Sequence, residues 1–259
     1  MDESDREIVA EFIVSKPILK QFVDTLTPLV RECRINLSED GFRVDVVDPA
    51  NVASILPVKL KASGFENIDA PGSASQGLNL KRLDDYIGKA RNDDLIHVRL
   101  DMASRKLLID YREIHHSMAL IDPDSVRAEP DLPKLDLPNT VGVSGASLSE
   151  AVGVADLVSD HIQITAGNDK ESVIFSAEGD TDDADYTISG DSLVTNEISD
   201  ADAETLLSLE YLKELVKPMP DDAEIQIRFG TEFPIIMDWS ANEDCIEVKQ
   251  LLAPRIQSD

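Results

Sequence analysis

The sequence predicts an α+β fold: two similar halves, each with two short helices packed on one side of an antiparallel sheet. Three observations lead there. A block in the first half of the 259 residues returns about 129 positions later, half the chain length, as an internal duplication requires. Each copy holds two stretches of helical periodicity among about eight shorter, strand-like runs. A segment dense in proline lies between the copies.

The first helix is expected over Ser15 to Arg31. Ser15 can cap it, Pro17 suits its first turn, and Ile18, Leu19, Phe22, Leu26, Leu29 and Val30 recur on one face. Pro28 should kink or tighten the last turn, having no N–H for the helical ladder. Phe42-Arg43-Val44-Asp45-Val46 alternates strictly and predicts a strand with one wet face. Leu78-Asn79-Leu80-Lys81-Arg82-Leu83 then leads into a second helix, and Ile96-His97-Val98-Arg99-Leu100 and Ile109-Asp110-Tyr111 read as strands.

The second half repeats this order. Leu207-Ser208-Leu209-Glu210-Tyr211-Leu212 aligns with Leu78 to Leu83, Leu215-Val216 with Tyr86-Ile87, and Asp221-Asp222 with Asn92-Asp93. Ile225-Gln226-Ile227-Arg228-Phe229 falls on Ile96 to Leu100, and a one-residue slip sets Met237-Asp238-Trp239 under Ile109-Asp110-Tyr111. The half's opening helix is expected from Ser147, because Ser147-Leu148-Ser149-Glu150 has the form of a capping box. Leu148, Ala151, Val152, Ala155 and Val158 would face inward, and His161-Ile162-Gln163-Ile164 alternates as the next strand.

Between the halves (1–121 and 140–259) runs a connector, 122–139, holding Pro123, Pro130, Pro133 and Pro138. Proline at that density resists helix and central strand and favours an extended, semi-rigid path. The connector's Val126, Leu132, Leu135 and Leu137 suit either docking onto the body beneath or a binding edge.

Acidic side chains outnumber basic ones by 51 to 24, for a formal net charge of -27. Such a chain repels itself in dilute buffer, and salt relieves this, since the Debye length falls to about 3 Å at 1 M. The composition suits a salt-rich cytoplasm. By itself it argues against binding nucleic acid. The acidic N-terminus has no apolar signal core, no stretch approaches a membrane span, and Cys33 and Cys245 fit no metal or redox spacing.

Residues for catalysis are sparse. His115 and His116 are strand neighbours, which point to opposite faces and cannot easily share an ion. Gly72-Ser73-Ala74-Ser75-Gln76-Gly77 lacks the lysine of a phosphate loop. Asp180-Thr181-Asp182-Asp183-Ala184-Asp185 misses the spacing of a calcium loop and reads as a hairpin tip. Neither an enzymatic role nor a cofactor is expected. A metal-dependent enzyme built on Asp182 and Asp183 stands as the contrasting reading.

Taken in order, several short motifs resemble the proliferating cell nuclear antigen family, the sliding clamps of archaea and eukaryotes. They are Val47-Asp48-Pro49-Ala50-Asn51-Val52, Gly77-Leu78-Asn79-Leu80, Leu209-Glu210-Tyr211-Leu212, Phe233-Pro234-Ile235-Ile236 and the tail Leu251-Leu252-Ala253-Pro254-Arg255-Ile256. The resemblance covers essentially the whole chain. It implies a non-catalytic processivity factor: a DNA-clamp fold closing head to tail into a homotrimeric ring that encircles duplex DNA without reading its sequence. DNA polymerase, clamp loader, flap endonuclease and DNA ligase are the implied partners, and a nucleoid-associated cytoplasmic location follows.

The resemblance implies cations on the lumen-facing helices: Lys16, Lys20 and Arg31 share one face of the first, with Asp24 interrupting them, Arg82 and Lys89 flank Asp85 on the second, and Lys213 and Lys217 form an i, i+4 pair on the fourth. Lys16, Lys20, Arg82, Lys89, Lys213 and Lys217 are the expected lumen residues, of which Lys20 and Lys217 match basic positions of the family. The ring interface falls on two edge strands, Ile109 to Ser117 (Ile109, Tyr111, His115, His116) and Ser172 to Ala177 (Ser172, Ile174, Phe175, Ala177). A pocket for short partner peptides falls on Val47, Asn51, Val52, Val126, Leu132, Pro234, Leu251, Ala253, Pro254 and Ile256, although the tail could equally serve to pack the core. The chain departs from the family in its third helix, which has no cation and carries Gly153 where arginine is common. An acidic adaptor that shares the fold without encircling DNA is the other reading in the binding class.

Overall fold

A computed structural model describes residues 7–128 and 135–255. The chain divides into two compact units. One gathers the described residues of 1–47, 55–131 and 242–247, the other those of 48–54, 132–241 and 248–259. These differ from the contiguous spans expected, because two strands, Ala53–Lys61 and Ile246–Leu252, each begin in one unit and end in the other.

In the first unit β1 (Ile8–Ser15) runs straight into α1 (Lys16–Leu26). The strands β2 (Glu32–Ser38), β3 (Gly41–Val47), β4 (Ala53–Lys61), β5 (Phe65–Asp69) and β6 (Ala74–Asn79) precede α2 (Leu80–Ile87). After it come β7 (Leu95–Asp101), β8 (Lys106–Tyr111) and β9 (Ile114–Ala119). One sheet has the order β5-β1-β7-β8-β9, and β4, β3, β2 and β6 lie side by side in another. Leu19, Phe22, Val23 and Leu26 of α1 and Leu80, Leu83 and Ile87 of α2 are buried. Phe42 packs edge-on against Phe12 and Phe65, with ring centroids 4.7 and 4.8 Å apart, so aromatic area dominates this core.

In the second unit β10 (Asn139–Ser144) runs into α3 (Gly145–Ala155). Next come β11 (His161–Ala166), β12 (Ser172–Glu178), β13 (Asp183–Ser189), β14 (Thr195–Ile198) and β15 (Glu204–Ser208). Then follow α4 (Leu209–Val216), β16 (Glu224–Phe229), β17 (Ile235–Ala241) and β18 (Ile246–Leu252). The sheet orders are β13-β12-β11-β15 and β14-β10-β16-β17-β18. Gln250, wholly buried, accepts from the Trp239 indole N–H at 3.3 Å and donates to the Leu215 carbonyl at 3.2 Å, so the polar group in this core is satisfied.

The duplication is visible in the helices. α1 and α3, and α2 and α4, start and end 129 positions apart. Several local expectations are corrected. The first helix stops at Leu26 rather than Arg31, because Pro28 cannot donate to the Asp24 carbonyl; the Thr27 hydroxyl donates there instead, at 3.5 Å. The third helix begins before the expected capping box. Ser144 is its N-cap and accepts from the Ser147 amide at 3.1 Å, which leaves Glu150 free to accept from the Tyr186 hydroxyl at 2.8 Å. β3 is less wet than its alternation suggested: Asp45 is buried, bracketed by Arg43 Nε at 2.7 Å and Nη2 at 2.9 Å.

The edge strands also move. Ile109 and Tyr111 lie on β8, paired on both sides, and are buried. The span Ile109 to Ser117 is a hairpin broken at Arg112, whose φ of 50° ends β8, and the edge is β9 with His115 and His116. Ser172, Ile174, Phe175 and Ala177 lie on β12, which pairs with both β11 and β13. Buried Val173, Phe175 and Ala177 mark it as an interior strand, and the edge is β13, with Asp183, Asp185 and Thr187 exposed.

Candidate functional site

The cations expected to meet phosphate fall into two classes. Three are already engaged. Lys20 bonds Asp24 and lies 3.2 Å from Asp84, Lys213 lies 2.6 Å from Asp156, and Lys16 donates to the Asn92 side chain at 2.8 Å. Burial alone would lower the Lys20 pKa, but its two carboxylates more than offset this and raise it above the ordinary lysine value. Arg82, Lys89 and Lys217 are exposed and have no carboxylate partner among the described residues.

Around α2 such unpaired cations accumulate. Lys81 and Arg82 sit in its first turn, Lys89 and Arg91 follow its end, and the Leu80 amide donates to the Arg31 carbonyl at 2.9 Å, bringing Arg31 beside its start. All five are exposed, and none has a carboxylate within ion-pair distance among the described residues. Elsewhere among the described residues eleven lysines and arginines are ion-paired. The first unit's α2 therefore presents uncommitted positive charge in a strongly acidic chain. Sequence reasoning set Arg31 on the cationic face of the first helix without counting it a site residue and passed over Lys81 and Arg91, because only the structure tells which acids lie within reach. The exposed positions of α3 are Ala146, Ser149, Glu150 and Gly153, a surface with no cation to meet a phosphate.

Residues expected to form the peptide pocket are found in each unit. In the second, the tail is held by its backbone: the Ala253 amide donates to the Val52 carbonyl at 2.8 Å, and the Arg255 amide to the Leu206 carbonyl at 2.7 Å. Leu251 and Leu252 are buried, whereas Ala253 and Pro254 are half-exposed. Val52 and Ala253 are thus brought together. Asn51 adopts a φ of 61° in the turn that Asp48 ties together, accepting from the amides of Ala50, Val52 and Ala53 at 2.6–2.8 Å. Pro234 is half-exposed next to Phe233, an exposed aromatic whose carbonyl accepts from the Thr205 hydroxyl at 3.3 Å. Phe233 belongs to one of the family motifs, yet sequence reasoning does not single it out as a site residue. In the first unit Val47 is buried and Val126 is half-exposed. Leu132 and Ile256 lie outside the described residues.

On the edge β9 the two histidines do point to opposite faces. His115 Nδ1 lies 2.7 Å from Asp110, while His116 stacks on Tyr86 with centroids 4.2 Å apart and planes at 4°. Among the described residues no group of three or more His, Cys, Asp or Glu is placed to hold a metal ion. Burial pushes the Cys33 thiol up to about 12, which keeps it protonated and unreactive at neutral pH. No helix among the described residues is long and apolar enough to cross a membrane.

Comparison with known proteins bears on the whole chain. Residues 10–120 match the family model for the proliferating cell nuclear antigen N-terminal domain. A DNA polymerase sliding clamp of Natronomonas pharaonis is 42% identical over 247 residues, 95% of this chain and 98% of the relative. Its counterpart in Haloarcula marismortui matches equally well. Among solved structures, that of the C-terminal region of FEN-1 bound to A. fulgidus PCNA superposes with a TM-score of 0.89, at 28% identity, over 96% of this chain and 100% of the other. The fold, the duplicated helix pairs and this similarity along nearly the entire sequence agree: the chain belongs to the proliferating cell nuclear antigen family of DNA polymerase sliding clamps.

Proposed function

We propose that the chain is a DNA sliding clamp, a non-catalytic processivity factor that encircles duplex DNA and tethers replication and repair enzymes. The observation that carries this is the 42% identity over 95% of the chain to curated sliding clamps. Three copies close head to tail, β9 of one meeting β13 of the next. Unpaired edge strands supply backbone donors and acceptors for such pairing, and a head-to-tail contact that closes makes a ring. The acidic face of β13, with Asp183 and Asp185, suits the histidine-bearing β9.

A closed ring also accounts for the scarcity of lumen charge. DNA threaded through a torus stays by linkage, so the phosphate contacts can be few and weak, as molar salt would in any case make them. Arg82, Lys89 and Lys217 make these contacts, with Lys16, Lys20 and Lys213 subordinate because other groups engage them. The tail, the Asp48 turn, Pro234 and the connector around Val126 receive short peptides of polymerase, clamp loader, flap endonuclease and ligase. The protein works in the salt-rich cytoplasm, on the nucleoid.

Two measurements test the reading. Scattering mass in molar salt should give three times the chain mass of 28.4 kDa. After loading, the protein should remain on closed circular DNA and leave when the circle is linearised. Single chains at every salt concentration, with no retention on circles, would defeat it and favour the adaptor.

A further inference from the structure

In the first unit, the described part of the connector is tied to the sheet beside β2 and β6. Arg34 on β2 and Gly77 on β6 are cross-strand partners. Gly77 exchanges both backbone hydrogen bonds with Ile121, at 3.1 and 2.8 Å. From the same pair the Arg34 guanidinium donates to the Pro123 carbonyl at 2.5 Å and lies 3.9 Å from the Asp124 carboxylate. Arg34 is only 24% exposed, so its bond to that carbonyl is shielded from water. Asp122 then caps the following turn, accepting from the Asp124 amide at 3.0 Å.

Gly77 is there for a steric reason. A Cβ at this position would lie 2.8 Å from both the Cβ and the carbonyl oxygen of Ile121, and 2.9 Å from Cγ2 of Val126. Any side chain would therefore push the connector off β6. Val126 is the described connector residue assigned to the peptide site, and it rests where the absent side chain would be.

We infer that the Arg34–Gly77 pair is the latch that positions the connector for partner peptides: Gly77 sets how closely it approaches, and Arg34 holds its first turn. Neither residue touches the peptide; both act through Ile121, Pro123 and Val126. The inference rests on the assignment of Val126 to the peptide site.

The test uses the full-length chain in molar salt with a fluorescent peptide from the C-terminal region of FEN-1. Arg34→Ala should weaken binding about tenfold, the equivalent of one shielded hydrogen bond from a charged donor, mainly through faster release. Arg34→Lys, which can still donate to the Pro123 carbonyl, should recover part of that loss, and Gly77→Ala should weaken binding at least as much as Arg34→Ala. Amide exchange at Ile121 should accelerate in both Ala variants while the amides of α2 keep their protection. Unchanged peptide affinity in Arg34→Ala and Gly77→Ala, or unchanged exchange at Ile121, would overturn the latch. A wild-type chain that binds no peptide would sink the site assignment itself, and the latch's role with it.

Discussion

Asp48 and Asp101 show how single carboxylates organise backbone in this acidic chain. Asp48 is 3% exposed and accepts three amides of the turn that leads into β4, so the turn depends on one side chain. Asp48→Ala leaves those amides without their charged acceptor and should cost the second unit about 2–4 kcal/mol, measured by denaturant unfolding. Asp101 accepts from the Ser104 hydroxyl at 2.7 Å and from the amides of Glu7, Ala103 and Ser104, which hold its carboxyl below the usual aspartate range. A carboxyl depressed by folding stabilises the fold above its unfolded pKa of about 3.9, and that contribution fades as pH falls through the folded value. Ser104→Ala should therefore move the Asp101 titration upward toward the ordinary range, as followed by carbon-detected NMR, and make acid unfolding begin at a higher pH.

At the scale of elements, what the sequence makes legible is the repeat and the helix faces. Ser15 and Ser144 flank α1 and α3 at the same offset that separates Leu80 from Leu209, so the repeat itself pointed to Ser144 as the cap. The Ser147-to-Glu150 motif was a locally attractive competitor, and it lost because the chain enters the helix directly from β10. Edge and interior strands were harder to separate. Ile109 and Tyr111 on β8 alternate as well as any edge residues, and only pairing shows that both neighbours are occupied. The charge on the helices was legible as residue type but not as availability, since Asp24, Asp84 and Asp156 neutralise their lysines from one turn away or from another segment. Reversing Arg82, Lys89 and Lys217 together should accordingly lower the salt slope of DNA binding by up to about 3, close to one for each phosphate left without its cation. Reversing Lys20 and Lys213 should change it little. Equal effects from the two sets, in fluorescence titrations across salt concentrations, would refute the ranking.

For the whole molecule the net charge of -27 outweighs any single ion pair. Exposed pairs such as Lys59–Glu247, 3.4 Å apart, contribute about 0–1 kcal/mol, whereas repulsion among 51 acids acts everywhere at once. Raising salt from 0.1 to 1 M shortens the Debye length from about 10 to 3 Å, so the thermal midpoint should climb steadily over that interval. A flat or falling midpoint in calorimetry would show that the surface charge is compensated internally. The sequence announced this dependence through composition alone, but it could not reveal which few cations the acids leave uncommitted.

The exchange of short segments between the units has a practical consequence. A gene cut at the prolines of the connector would give an N-terminal piece lacking 242–247, and with it the Cys245 carbonyl that accepts from the Lys61 amide at 2.8 Å. The C-terminal piece would lack 48–54, including the Val52 carbonyl that receives the Ala253 amide. Each fragment made alone should be poorly folded, and the two synthesised together should recover structure by complementation. On that outcome the tandem copies would count as one folding unit.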